Sequence, residues 1–273
     1  MSAPGMPPPG SLERMLVRDR LLIAATLAVL VALAWAYLVM LARRMGSDAD
    51  VAAVASMPGM PGMDGQSAGG PATRALALTA FMWWTMMIGM MLPSAAPMVL
   101  LFGTVQRRQL AAENPSLRVG MFTLGYVVTW GAFSLLAAAA QTVLAERALL
   151  APMDLTVTTR IGALLVALAG VYQLTPLKHV CLRRCRSPAE FLSSHWRPNT
   201  SGAVRMGIEH GLFCVGCCWL LMGLLFVVGV MNLFWVAAIA AFVLLEKIVP
   251  HGEAVARVSG VALLAFAVYL ALG

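Results

Sequence analysis

The chain has 273 residues, of which 60% are hydrophobic and only 11% charged, with a net charge of +7. Soluble domains carry about 25% charged residues, so this composition excludes a disordered chain, a coiled coil and an ordinary soluble enzyme. It fits a polytopic helical membrane protein, because the apolar residues come in runs near the roughly 20 needed to cross ~30 Å of hydrocarbon, not in the short alternating segments of a β-barrel.

Residues 1–20 open with prolines and glycines, continue through Arg14, Arg18 and Arg20, and read as a disordered basic N-terminus. The remainder, 21–273, reads as a single membrane domain. The first apolar run, 21–42, follows that charge as in a signal peptide, but it is longer than a usual signal core, so a retained signal-anchor helix is expected. Residues 43–73 form a loop around Met57-Pro58-Gly59-Met60-Pro61-Gly62-Met63, where proline and glycine are too dense for a regular helix. A second span covers 74–102, with Pro93 and Pro97 predicting a kink or an early stop. The third span is 119–144 and the fourth 159–175. Residues 176–204 are a basic stretch holding Lys178, Arg183, Arg184, Arg186 and Arg197. The fifth span is 205–230, the sixth is 233–248, and the last, after Pro250-His251-Gly252, is 255–272. The predicted fold is therefore all-α, a bundle of about seven transmembrane helices.

Loop charge sets the orientation. With the N-terminus cytoplasmic, about 14 of the 19 basic residues fall on cytoplasmic segments. The Met-Pro-Gly loop then faces outside. The basic 176–204 loop faces the cytoplasm, where thiols stay reduced. Positive charge here marks sidedness and not nucleic acid, since no basic run is interleaved with aromatics. A multi-pass protein of a cell inner membrane is expected, with the lipid bilayer as its first partner.

All five cysteines, Cys181, Cys185, Cys214, Cys217 and Cys218, lie in one window of the chain, and an odd number cannot make a complete disulfide framework. On the fifth span, helical spacing puts Met206, His210, Cys214 and Cys218 on one stripe, which Cys217 joins at three residues from Cys214. A thiolate in hydrocarbon needs a compensating charge, and a soft metal ion supplies one. The alternative is packing of small residues at a helix interface, the role expected of Gly207, Gly211 and Gly216. Cys181 and Cys185 are four apart and share a face if the fourth helix continues, amid Lys and Arg that favour the thiolate. The second span carries Met82, Met86 and Met90 on one stripe and Met87 with Met91 on another. Thioethers are soft donors for Cu(I) and equally common core fillers. Met57, Met60 and Met63 resemble Met-rich copper-capturing segments. Glu246 and Lys247 read as an interfacial pair, with Glu246 able to turn inward and accept from a ligand histidine. His195 and His251 read as surface residues.

There is no Walker motif, no Gly-rich dinucleotide turn, no nucleophile elbow and no heme-attachment motif in the chain. The segment from Trp84 and Met86-Met87 to Pro97, the stretch Gln173-Leu174-Thr175-Pro176-Leu177-Lys178 through Cys181 and Cys185 to Pro188, and Gly211 through Cys214-Val215-Gly216-Cys217-Cys218-Trp219, with Glu246-Lys247 beyond, resemble a bacterial family of predicted metal-binding integral membrane proteins. Some of its members are labelled copper chaperones. The resemblance implies a metal site more firmly than a particular task.

The expected function is binding and handing on of a soft metal ion, Cu(I) first and zinc second, without enzymatic turnover. The expected ligands are Cys181, Cys185, Cys214, Cys217 and Cys218, with His210 and with Met86, Met87 and Met90. The expected partner is a membrane metalloenzyme or a copper carrier. Two alternatives stay open: a membrane thiol-disulfide oxidoreductase using the cysteine pairs, and an assembly factor for a membrane metalloenzyme.

Overall fold

The computed structural model describes residues 9–55, 72–108, 114–150 and 156–272. Met57, Met60 and Met63 lie outside the described residues, as do residues 1–8. The described chain is all-α: α1 (Pro9–Ala55), α2 (Ala72–Arg108), α3 (Pro115–Glu146), α4 (Thr159–Leu174), α5 (Pro176–Arg186), α6 (Pro188–His195), α7 (Thr200–Gly223), α8 (Leu225–Val228), α9 (Leu233–Ile248) and α10 (Gly252–Leu272). Residues 9–20, read from sequence as disordered, belong to α1.

Five helices are long and apolar enough to cross a membrane: Val17–Arg44, Thr73–Arg108, Pro115–Glu146, Thr200–Val228 and Gly252–Leu272. Two of the seven expected spans do not reach that length among the described residues. The fourth ends at Leu174, and α4 and α5 together qualify only as a broken pair bent by 67°. The break follows from Thr175-Pro176. The residue before a proline is pushed out of the α region, and Thr175 is extended while its hydroxyl caps the Lys178 N–H at 3.3 Å. The sixth, α9, has 16 residues, about 24 Å at 1.5 Å per residue. The basic stretch 176–204 is not a loop throughout: it forms α5 and α6, and α5 packs along α7.

The bundle is apolar on its outside as well as in its core. Outward faces carry Leu136, Phe234, Val258 and Leu272, whereas the interior holds Arg118, Gln173, Lys178, His210, Glu246 and Lys247. A lipid-facing surface has that character. α2 is the most enclosed of the long helices, and α1 and α10 are peripheral. α3 packs closely on α7 because glycines face each other across the seam. A methyl group at Gly125 would strike the Val204 carbonyl, and one at Gly207 would strike that of Phe122. Gly170 on α4 and Gly260 on α10 make a second such contact. The expected packing role of Gly207 and Gly211 is seen directly, Gly211 lying on Thr129.

Candidate metal centre

α7 brings Cys214, Cys217 and Cys218 to its inward face, all fully buried. Cys214 lies halfway between Thr200 and Val228 on that span, about 21 Å from either end. The Cys217 and Cys218 thiols turn back and donate to the Cys214 carbonyl at 3.1 and 3.0 Å. α5, redirected by the break at Thr175, packs on α7 and brings the buried Cys185 near the Cys214 and Cys217 thiols. Cys181, one turn earlier, is half-buried and its Sγ rests against Gly216. The two α5 cysteines thus share a face only loosely, one in the thiol group and one at its edge.

α2 supplies a thioether. Met82, Met86, Met87, Met90 and Met91 are all buried, and Met91 meets Cys218 at 3.9 Å, Sδ to Sγ. Met91 sits midway along α2, as Cys214 does along α7. The expected donors Met86, Met87 and Met90 fill the core of α2, and Met91, from the same stripe as Met87, is drawn into the thiol group.

Two further groups converge on Cys214. The Tyr126 hydroxyl of α3 bridges the Met91 carbonyl (3.0 Å) and the Cys214 sulfur (3.1 Å). The Lys247 ammonium of α9 donates to Cys214 Sγ at 3.0 Å and to Ser94 Oγ at 2.8 Å. Ser94 in turn donates to the Met91 carbonyl at 2.8 Å. Lys247 is therefore not an interfacial anchor. It ends a short helix inside the bundle.

Glu246 also turns inward, but not to a histidine. Lys178 Nζ donates to both of its carboxylate oxygens at 3.0 and 2.8 Å, and Gln173 Nε2 donates to one of them at 2.9 Å. Both members of this ion pair are buried, at 0% and 1% exposure. Arg186 adds contacts to the carbonyls of Lys247, Val249 and Pro250. The C-terminal end of α9 is thus fastened to α5, the helix that carries Cys181 and Cys185.

His210, expected as a ligand, is buried among Phe122, Tyr126 and Phe191, with ring centroids 6.1, 5.8 and 5.4 Å away. Its Nδ1 has no hydrogen-bond partner, an uncommon state for a buried nitrogen. It lies one turn from Cys214, so it adjoins the thiols without joining them. His195 is half-buried and stacks on Phe191 at 4.6 Å, while His251 is exposed.

What the arrangement can do chemically follows from its donors. Four thiols and a thioether in an apolar interior are soft ligands of the kind that select Cu(I) or zinc. As the side chains stand, no group of three His, Cys, Asp or Glu among the described residues is set to hold a metal ion. The Cys217 and Cys218 thiols are engaged with a backbone carbonyl, and a turn about χ1 between staggered wells would redirect them.

Residues 80–270 match a family described as copper chaperone. The matched stretch is more than half of the chain and contains every cysteine, so the chain belongs to this family. No curated protein and no solved structure matches it.

Proposed function

We propose that this copper chaperone family member is a membrane-embedded carrier that takes up Cu(I) on thiolates at the centre of its bundle and hands it on by ligand exchange. The observation that carries the reading is the burial of Cys185, Cys214, Cys217 and Cys218 on two helices packed together, α5 and α7, with Met91 against Cys218. The copper ion is cargo, and weak or shared donors suit cargo better than a closed four-ligand shell would. Cys214, whose sulfur meets Tyr126 and Lys247 and whose carbonyl accepts from Cys217 and Cys218, is the principal ligand. Cys185, Cys217 and Cys218 complete two- or three-coordinate arrangements around it. Cys181 and His210 flank the group on separate sides and serve as entry and exit donors. Met86, Met87 and Met90 line the way along α2 from the outer end.

The chain is read as a multi-pass protein of the inner membrane with its N-terminus in the cytoplasm. In that reading α4–α5 is a broken span and α9 a short one. Charge supports it, since Arg183, Arg184, Arg197 and Arg205 gather around α5, α6 and the start of α7. The receiving partner is a copper carrier or a membrane metalloenzyme that offers competing soft ligands.

Metal content of detergent-purified protein prepared anaerobically, beside a form with all five cysteines changed to Ser, tests the reading. Near-stoichiometric copper, lost in the Ser form, is the expected result. Copper retained without the cysteines would overturn it. A metal-free protein whose cysteines pair on oxidation would favour thiol-disulfide exchange instead.

A further inference from the structure

Lys247 is the one cation among the described residues that donates to a thiol sulfur. Its surroundings also leave it without an ordinary counter-ion. It makes no ion pair with a carboxylate among the described residues. The adjacent Glu246 is held by Lys178, whose ammonium spans both of its oxygens. A buried ammonium is costly unless paired and hydrogen-bonded, and the groups offered to this one are Cys214 Sγ and Ser94 Oγ. The position is also built. Arg186 holds the carbonyl of Lys247 at 3.2 Å, and the Lys178–Glu246 pair locks the preceding residue.

We propose that Lys247 is a specificity-determining residue of the thiol site: its ammonium occupies the Cys214 sulfur until a metal arrives, then stays close on Ser94 and disfavours divalent ions. The inference rests on the thiol-site reading above. Ser94 lies 2.8 Å from Nζ on the side of α2, and its hydroxyl is already oriented by the Met91 carbonyl. The ammonium can therefore release the sulfur without losing all its hydrogen bonds. Its charge then stays within a few ångströms of the bound ion. Coulomb repulsion scales with the charge of that ion, so for the same set of thiolates a divalent ion suffers twice the repulsion of a monovalent one. A soft donor set by itself accepts both Cu(I) and Zn(II). The fixed positive charge tilts that choice toward the monovalent ion.

The test compares Cu(I) and Zn(II) affinities of the full-length protein, measured by competition with chelators, in the unaltered chain and in Lys247→Met, Lys247→Gln and Lys247→Arg. The readout is the ratio of the two affinities. Each absolute affinity also reflects how well the thiolates form, which the substitution changes alike for both metals. The expected result is a shift of the ratio toward zinc by about tenfold or more in Lys247→Met, with the ratio restored in Lys247→Arg. Lys247→Gln, which keeps a donor for Ser94, gives the same answer if the Met variant does not fold. An unchanged ratio in a folded neutral variant that still binds copper through its cysteines would overturn the role of Lys247 and leave the copper reading intact. Failure of the unaltered chain to bind copper, or copper held equally well after Cys214→Ser, would overturn both.

Discussion

Met87 and Met91 stand one turn apart on α2, and both are buried, yet only Met91 is seen with its sulfur 3.9 Å from a thiol. Periodicity shows that two stripes of methionine exist. It does not show which turn of α2 lies level with Cys218, because that depends on how far α2 slides along α7. The same holds for Glu246 and Lys247: the sequence marks an adjacent charged pair at the end of an apolar run, and only tertiary packing sends one to Lys178 and the other to Cys214. Two predictions belong at this scale. Met91→Leu, nearly isosteric, should weaken copper retention by about tenfold, whereas Met86→Leu should leave it close to unchanged, both being volume-conserving swaps of small cost to the fold. Chelator competition on the two purified variants decides it, and equal losses would remove Met91 from the site. Lys178→Met should be strongly destabilising, by about 3–5 kcal/mol, since it leaves the Glu246 carboxylate buried without its cation. The double change Lys178→Met/Glu246→Met should recover most of that loss. Thermal unfolding in detergent distinguishes the two, and a double variant as unstable as the single one would contradict the argument.

Helix faces were legible where they depend on local spacing. Met206, His210, Cys214 and Cys218 do form the buried stripe of α7, and Gly207 and Gly211 do face a neighbouring helix. Less legible was the break between α4 and α5. Thr175-Pro176 signals it by restricting the residue before proline, but a basic, Arg-rich continuation reads as loop until its packing is known. The break is what aims Cys185 at α7, so an element boundary decides how many thiols the centre holds. The α3–α7 seam makes a similar demand. A methyl at Gly207 would overlap the Phe122 backbone, which cannot rotate away as a side chain could. Gly207→Ala should therefore push α7 off α3, at a cost of about 1–3 kcal/mol for overpacking. It should also separate Cys214 from Tyr126, lowering copper retention from a position that touches no sulfur. Gly120→Ala on α3, where nothing lies within 4 Å of the added methyl, should be neutral or stabilise the helix by up to about 1 kcal/mol. Unfolding midpoints and copper content of the two variants, taken together, check the claim. Equal behaviour of the pair would show that the seam does not set the site.

For the whole molecule, the arrangement of charge and of short helices bears on how the site is reached. α4 and α9, at 16 residues each, are about 24 Å long, short of the ~30 Å hydrocarbon core. Both end toward the same side, α4 leading into α5 and α9 presenting Lys247 to Cys214. In the N-in orientation that side is cytoplasmic. In the same orientation α5 and α6 belong to the cytoplasmic half, with half-buried Cys181 against Gly216 beside the thiols. At the opposite end Leu150 and Val157 form an isolated antiparallel bridge, and the Val157 N–H donates to the Phe226 carbonyl at 2.8 Å. The basic residues give the sequence an expected sidedness, and the short lengths of α4 and α9 were legible in it, whereas where their ends pack was not, because only tertiary contacts fix it. A labelling experiment joins the two. Ser193 on α6 and Glu146 at the end of α3 are both exposed, and the orientation puts them on opposite sides of the membrane. Ser193→Cys should react with a membrane-impermeant maleimide only once the membrane is opened or inverted, and Glu146→Cys should react in intact cells, each measured against the unaltered chain. Cys181 should gain protection from a permeant reagent when copper is supplied, if copper leaves past it on the way to the cytoplasm. The reverse labelling pattern would turn the molecule over and make α5 and α6 the outward face, so that the same site would load from the cell exterior through Cys181 and not through the methionines of α2.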